Sequence, residues 1–295
     1  PEQILEQNPL ENLKDESILR EASVFIFLGF CKKGVADFFA IYAENLYSEP
    51  SWKAASALFV RYYLDFSGYS DMAMGVGLMF GIRLPLNFNL PYISQSIAEY
   101  WRRWHISLGE WFRTNVFFPL QFKLTRNGAW RTNKLLLRLT GPIASFTTMF
   151  LIGMWHGLSG VFFIWAIFNA ILILISEPAA KGLHKLIGLA AVPLNILVTI
   201  YLVFVGQLLI NAPNVSKFSA TYLKLHWRSS STAAEPSRLI LAAVLAIMIF
   251  HIIDYLILHR KIWKNTYILF ILLGLLMFCS FVTFKTGQPF VYGSF

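Results

Sequence analysis

The sequence predicts an all-α, polytopic membrane protein. Three observations predict it. The 295 residues are 56% hydrophobic and only 14% charged, with a mean hydropathy of +0.55. The chain holds 27 Phe and 9 Trp. Several apolar segments reach the roughly 20 residues that a helix needs to cross a bilayer. An average soluble chain is about 25% charged and needs that polar surface to cover itself. The composition excludes disorder, collagen-like repeats and a coiled coil, and it argues against an ordinary cytosolic enzyme. In lipid every backbone N–H and C=O must be paired within the protein, so helices are the expected elements.

Residues 1–22 (PEQILEQNPLENLKDESILREA) are polar and are expected to form a loop or short helix. They carry no initiator Met and no signal-peptide pattern, so the chain reads as part of a longer protein cut in a loop. Residues 23–295 read as one transmembrane domain, without a soluble domain or an internal repeat. Residues 23–47 are apolar but hold Lys32, Lys33, Asp37 and Glu44. That load predicts an interfacial or broken helix whose lysines reach the headgroups. Residues 54–82 are a better span, in which Arg61 and Asp65 share a helix face and can pair. Pro85 and Pro91 end that helix. Residues 139–176 suffice for two spans joined at a tight turn near Gly157–Gly160. Further spans are expected at 190–211, 238–258 and 266–284.

Charge orients these spans. Residues 1–22 carry −4, whereas residues 99–138 carry +6, from eight bases against Glu99 and Glu110. A basic stretch between apolar spans marks the cytoplasmic face, and the surrounding spans make a nucleic-acid site the weaker reading. The basic loop 259–264 also goes inside. Tracing backwards puts 212–237 outside, 177–189 inside with Lys181 and Lys185, and 99–138 inside. Lys217, Lys224, Arg228 and Arg238 near the outer loop count against this orientation. Cys31 and Cys279 provide neither a disulfide framework nor a metal spacing and are read as packing residues.

The segment 85–127 is too polar and too aromatic for a plain loop. From Ile97 to Phe112 apolar and aromatic residues recur at helical spacing, with Arg102, Arg103 and Arg113 among the rings. By residue type alone it is either an interfacial anchor or a cytoplasmic funnel whose arginines attract a phosphorylated donor. Both readings stand at this point.

Several runs carry a resemblance: GFCKKGVADFFA (29–40), DFSGYSDMAMGVGLMFGI (65–82), NFNLPYIS (87–94), EYWRRWHISLGEWFR (99–113), MWHG (154–157) and PFVYGSF (289–295). Together, and in this order, they resemble the membrane-bound O-acyltransferase family, in particular its bacterial alginate O-acetyltransferase-like branch, with teichoic-acid D-alanyltransferases as relatives. The likeness runs from about residue 24 to the C-terminus. It implies a helical bundle around a central channel, of which this chain is the C-terminal portion.

Acyl transfer from a thioester to a hydroxyl needs a base, a donor group for the developing oxyanion, and a dry channel that aligns both substrates. Histidine is the natural base near neutral pH. The candidates are His105, His156, His184, His226, His251 and His259. By residue type His156 is either a satisfied core histidine or a functional intramembrane group. The resemblance assigns it the role of general base, because MWHG matches the motif that carries the family's essential histidine. His105 matches the second motif position and is implied to steady the thioester or oxyanion; the bland alternative is an interfacial histidine bonded to backbone. Bacterial relatives often carry another histidine one turn into the next span. This chain has Asn169 there, which argues against a two-histidine relay through that position.

Trp101, Arg102, Arg103, Trp104, Trp155, Asn169 and Asp71 are the remaining candidates for contact with substrate, Asp71 being read first as a structural, intramembrane ion-pair residue and second as a brace for the site. Gly77 and Gly81 form a GxxxG suited to helix packing. His251 and Asp254, three apart, lack the further ligands a metal needs. The implied function is transfer of acetyl groups from a cytoplasmic thioester such as acetyl-CoA, with no bound cofactor, toward an extracytoplasmic polysaccharide. A periplasmic acyltransferase is the expected partner and the bacterial inner membrane the expected location. The rivals are D-alanyl transfer from a carrier protein to teichoic acid, and a transporter or channel that catalyses nothing.

Overall fold

Two helices that begin on side-chain caps organise the first part of the structure, a computed structural model that describes residues 6–227, 237–265 and 274. Asp15 accepts from the Ser17 amide at 2.9 Å and starts α2 (Glu16–Ala43), just after the short α1 (Pro9–Asn12). Ser51 accepts from the Ala54 amide at 3.2 Å and starts α3 (Trp52–Met79). Such caps satisfy amides that the first helical turn leaves unpaired. The chain continues through α4 (Ile97–Arg103), α5 (Ile106–Phe112), a π-turn over Arg113–Phe117, α6 (Phe118–Arg126), α7 (Gly128–Thr132), α8 (Lys134–His156), α9 (Gly160–Ile187), α10 (Ala191–Ile210), α11 (Val215–Trp227) and α12 (Ser237–Leu258). Among the described residues there is no β-strand, only a bridge between Phe88 and Trp104.

Among the described residues Lys134–His156, Gly160–Ile210 and Arg238–Leu258 are long and apolar enough to cross a membrane. They cover the expected spans over 139–176, 190–211 and 238–258, and the expected turn lies between α8 and α9. The span expected at 266–284, Cys279 and the run 289–295 lie outside the described residues. Residues 177–189 are not the expected loop. Apart from a turn at Gly188–Ala190 they continue α9, because Pro178 is followed by good helix formers (Ala179, Ala180, Lys181, Leu183) and the chain turns only at Gly188, whose φ is +60°.

The chain divides into two compact units, residues 1–87 with 223–295, and residues 88–222. In the first, α2 and α3 meet at glycines. A Cβ on Gly29 would lie 2.5 Å from the Gly68 carbonyl oxygen, and one on Gly75 would lie 2.8 Å from that of Ala22. This approach brings charges of both helices together. Lys32 is 1% exposed and binds Asp71 at 2.7 Å and Asp254 of α12 at 2.7 Å. Asp254 also accepts from the Tyr63 hydroxyl at 3.1 Å, and His251 lies against the Tyr63 ring with centroids 5.3 Å apart. Lys33 pairs with Asp37 and, at 3.0 Å, with Asp65.

The expected broken helix with headgroup-seeking lysines is therefore corrected. The helix over 16–43 is continuous, because its lysines find carboxylates inside the protein. The ion pair of Asp65 is with Lys33 of α2, where sequence spacing pointed to Arg61.

The GxxxG at 77–81 also has another job. The Ile82 amide bonds to the Gly77 carbonyl at 2.8 Å and the Gly81 amide to that of Leu78 at 2.9 Å, which closes α3 with Gly81 left-handed at φ +73°. The polar N-terminal segment docks on this turn: Asn12 donates to the Gly81 carbonyl at 2.8 Å and Arg83 pairs with Glu21 at 2.9 Å.

The lysine triad yields a prediction. Lys32→Met leaves two buried carboxylates without their cation and is expected to cost about 3–5 kcal/mol, read as a lowered thermal midpoint in detergent. Neutralising the carboxylates as well (K32M with D71N and D254N) is expected to recover most of that loss; a single variant as stable as the parent contradicts the triad's role.

Candidate functional site

Asn133 starts α8 by accepting from the amides of Leu135 at 2.9 Å and Leu136 at 3.3 Å. The helix runs to His156, three residues reverse the chain, and α9 returns along it. The two backbones touch where Gly153 meets Ala166, since a Cβ on Gly153 would overlap the Ala166 side chain. Gly157 is needed for space: a Cβ there would lie 2.6 Å from the ring of Phe162.

This turn encloses His156 in rings. Trp155 meets it edge-on with centroids 5.0 Å apart, Trp165 does the same at 5.7 Å, and Phe162 stacks on it at 6.4 Å with an interplanar angle of 16°. The imidazole is half-buried. Trp165 anchors this side of the site, being 5% exposed and packed in a core with Phe112, Met149, Ile152 and Val161.

The second wall comes from the junction of α4 and α5. Ser96 caps α4 by accepting from the Glu99 amide at 3.1 Å, and Glu99 reaches back to the Gln95 amide at 2.9 Å. The hydroxyl of Ser176 on α9 accepts from the Ile97 amide at 3.1 Å, which fixes the start of α4 against that helix. At its other end, the Asn89 amide donates to the Arg103 carbonyl at 2.9 Å and the Arg103 guanidinium donates to the Asn89 carbonyl at 3.1 Å. These bonds hold Trp104 extended, and His105 then adopts the left-handed conformation with φ 47° and ψ 52° before α5 starts. A non-glycine residue held there is strained, and such strain clusters at functional sites. Burial pushes the His105 pKa down to about 4, and the charge of His156 acts in the same direction, so the two imidazoles lie within electrostatic reach. His105 is therefore neutral at pH 7.

Trp101 and Asn169 link the walls. The Trp101 indole N–H donates to Asn169 Oδ1 at 3.2 Å, and its ring meets Trp165 edge-on with centroids 5.6 Å apart. Asn169 Nδ2 donates to the Trp165 carbonyl at 3.0 Å. The structure thus brings His156, His105, Trp101, Asn169 and Trp155 together. The other candidates are engaged elsewhere. Trp104 is 3% exposed and packs on Phe88 and Tyr100. Arg103 binds Glu99 at 2.9 Å as well as the Asn89 carbonyl. Arg102 lies at the surface, 3.5 Å from Glu177. Asp71 belongs to the other unit and holds Lys32.

Trp165 and Phe162 are the site residues that the sequence analysis missed. One signal pointed to them: both fall within one or two turns after MWHG, and Trp165 is four residues before Asn169. Chemically, a half-buried imidazole among rings, within electrostatic reach of a second imidazole, can take a proton from a hydroxyl.

The chain is 38% identical over 194 residues to the probable alginate O-acetylase AlgI of Pseudomonas aeruginosa, covering 63% of this chain and 35% of that protein. It is 33% identical over 171 residues to the peptidoglycan O-acetyltransferase of Helicobacter pylori, covering 55% and 30%. It is 39% identical over 111 residues to the teichoic acid D-alanyltransferase of Bacillus subtilis, covering 38% and 27%. The chain thus spans between 27% and 41% of the length of these curated relatives. The family model for the membrane-bound O-acyltransferases matches residues 6–185, well over half of the chain. With that match running through both walls around His156, the chain belongs to the membrane-bound O-acyltransferase family.

Proposed function

We propose that this protein transfers acetyl groups from a cytoplasmic acyl thioester such as acetyl-CoA, through a channel in the bacterial inner membrane, for O-acetylation of a polysaccharide on the far side. The acceptor is the glycan itself or a periplasmic acyltransferase that completes the transfer. One observation carries the reading: a half-buried His156 among rings, with Trp165 shared between it and the Trp101–Asn169 pair and His105 within electrostatic reach.

His156 takes the proton of the acceptor hydroxyl. The hydroxyl oxygen attacks the thioester carbonyl, the C–S bond breaks, and the thiolate leaves with the proton returned by the imidazolium. His105, neutral at pH 7, holds a ring N–H that can steady the oxyanion. Asn169 is a positioning residue, since both ends of its amide are committed to Trp101 and Trp165. The basic stretch 99–138 supports a cytoplasmic position for this side of the protein. Acetyl is favoured over D-alanyl because the alginate O-acetylase of Pseudomonas aeruginosa aligns over 194 residues at 38% identity, against 111 residues for the Bacillus D-alanyltransferase and 173 residues at 31% for the Streptococcus thermophilus one. A labelled acetyl-CoA assay, run against a D-alanyl carrier protein, separates the two. A transporter would move solute and form no acyl product.

His156→Ala is expected to lower acyl transfer by about 10²–10⁴-fold with the thermal midpoint unchanged; acetylation at the parent rate defeats the base assignment. His105→Gly keeps the left-handed backbone and removes the imidazole, so it is expected to lower kcat. Because His105 loses its proton near pH 4, this variant is expected to leave the acid limb of the pH–rate profile above pH 5 where it is in the parent. A shifted limb would show that His105 titrates in turnover. Asn169→Ala is expected to cost about 1–3 kcal/mol of stability and to lower kcat more than it raises KM.

A further inference from the structure

A cavity of about 430 Å³ opens between α4 and the last turns of α9. Ser96 and Arg102 line it from α4, and Glu177, Lys181, His184 and Lys185 line it from α9. The three basic residues of α9 recur at i, i+3 and i+4, so they share one helix face. Glu99 also borders the cavity, but its carboxylate is taken by Arg103 at 2.9 Å and by the Gln95 amide. Glu177 serves as counter-ion for the basic face, 2.8 Å from Lys181 and 3.5 Å from Arg102. Among the described residues the side chains of His184 and Lys185 have no hydrogen-bond or ion-pair partner. Arg102, Lys181 and Lys185 therefore outnumber the one carboxylate left to them.

We propose that this cavity is an anion site for a phosphate-bearing ligand, and that Glu177 is the built-in counter-ion which the ligand displaces from Arg102 and Lys181. Ion pairs as open as these contribute little, so exchanging them costs little. A phosphate carries more charge than one carboxylate and accepts from several donors at once, and the guanidinium fork matches its geometry. Two sources carry this chemistry: the phosphates of a nucleotide thioester, and the headgroup of an anionic lipid. Trp101 turns to Asn169 and its neighbour Arg102 to the cavity, about 100° apart around α4. That adjacency joins the site to the reaction if the nucleotide is the source, and only this assignment rests on the acyl-transfer reading.

The test uses the full-length protein in nanodiscs and reads binding of coenzyme A and inorganic pyrophosphate without turnover. In phosphatidylcholine discs the parent is expected to bind both. Lys181→Gln with Lys185→Gln is expected to weaken binding by about tenfold or more, and Glu177→Gln to tighten it. Opposite signs for the two changes distinguish an anion site from a structural ion pair. Coenzyme A that still binds in phosphatidylglycerol discs identifies the nucleotide as ligand, whereas lysine-dependent competition by phosphatidylglycerol identifies the headgroup. No binding by the parent in any disc, or binding that the lysine changes leave unaltered, overturns the site. Weaker binding by Glu177→Gln overturns its role as counter-ion. His156→Ala is expected to bind as the parent does. Binding with no acyl product from the parent defeats the acyl-transfer reading and leaves the anion site standing; parent-like KM for acetyl-CoA in the lysine variant defeats the link between the two.

Discussion

The close approach of α8 and α9 at Gly153 and Ala166 is the constraint on which the site depends. Only the Ala166 methyl lies between the two backbones there, and the short turn that follows carries His156 against Trp165 and Phe162 on the returning helix. In lipid, association of helices relies on packing of this kind, because the solvent is as apolar as the side chains. A larger residue at either position would part the helices and loosen every contact built on them. Trp165 extends the same logic inward. It belongs to the core, meets His156 with one edge, and through its carbonyl holds the amide that holds Trp101.

The other unit answers a different demand. Its helices carry charges that lipid would exclude, and they carry them in sets. Lys32 has two aspartates and Lys33 has two more, drawn from α2, α3 and α12. Each aspartate compensates a lysine that would otherwise be stranded in a medium of low dielectric. The arrangement specifies partners: α12 fits where Asp254 finds Lys32 and the Tyr63 hydroxyl.

How much of this could be read from residues alone depends on the range of the interaction. The spans over 139–176, 190–211 and 238–258 were legible because apolar length is a local property. His156 and His105 were legible because each stands in a short recognisable run, and their proximity then follows from the fold. The lysines of α2 misled because a charge in an apolar segment shows its cost locally while its partners lie 39 and 222 residues away. Residues 177–189 misled because a proline and basic residues look like a loop when the helix before them cannot be seen continuing. Trp104 and Arg103 looked like substrate contacts by type; the bridge to Phe88 and the bonds with Asn89 tie them into the wall that shapes His105. Trp165 was missed because an aromatic residue in a span is ordinary until its neighbours are known.

The central claim is that the His156 imidazole accepts the hydroxyl proton, and chemical rescue tests it most directly. In His156→Gly the ring is gone and the space it filled is left open beside Trp165. Added imidazole is predicted to restore acetyl transfer in a saturable way, with substituted imidazoles more effective as their basicity rises, while His105→Gly is not rescued in that manner. Acetyl transfer by His156→Gly at the parent rate, with no imidazole present, would contradict the account.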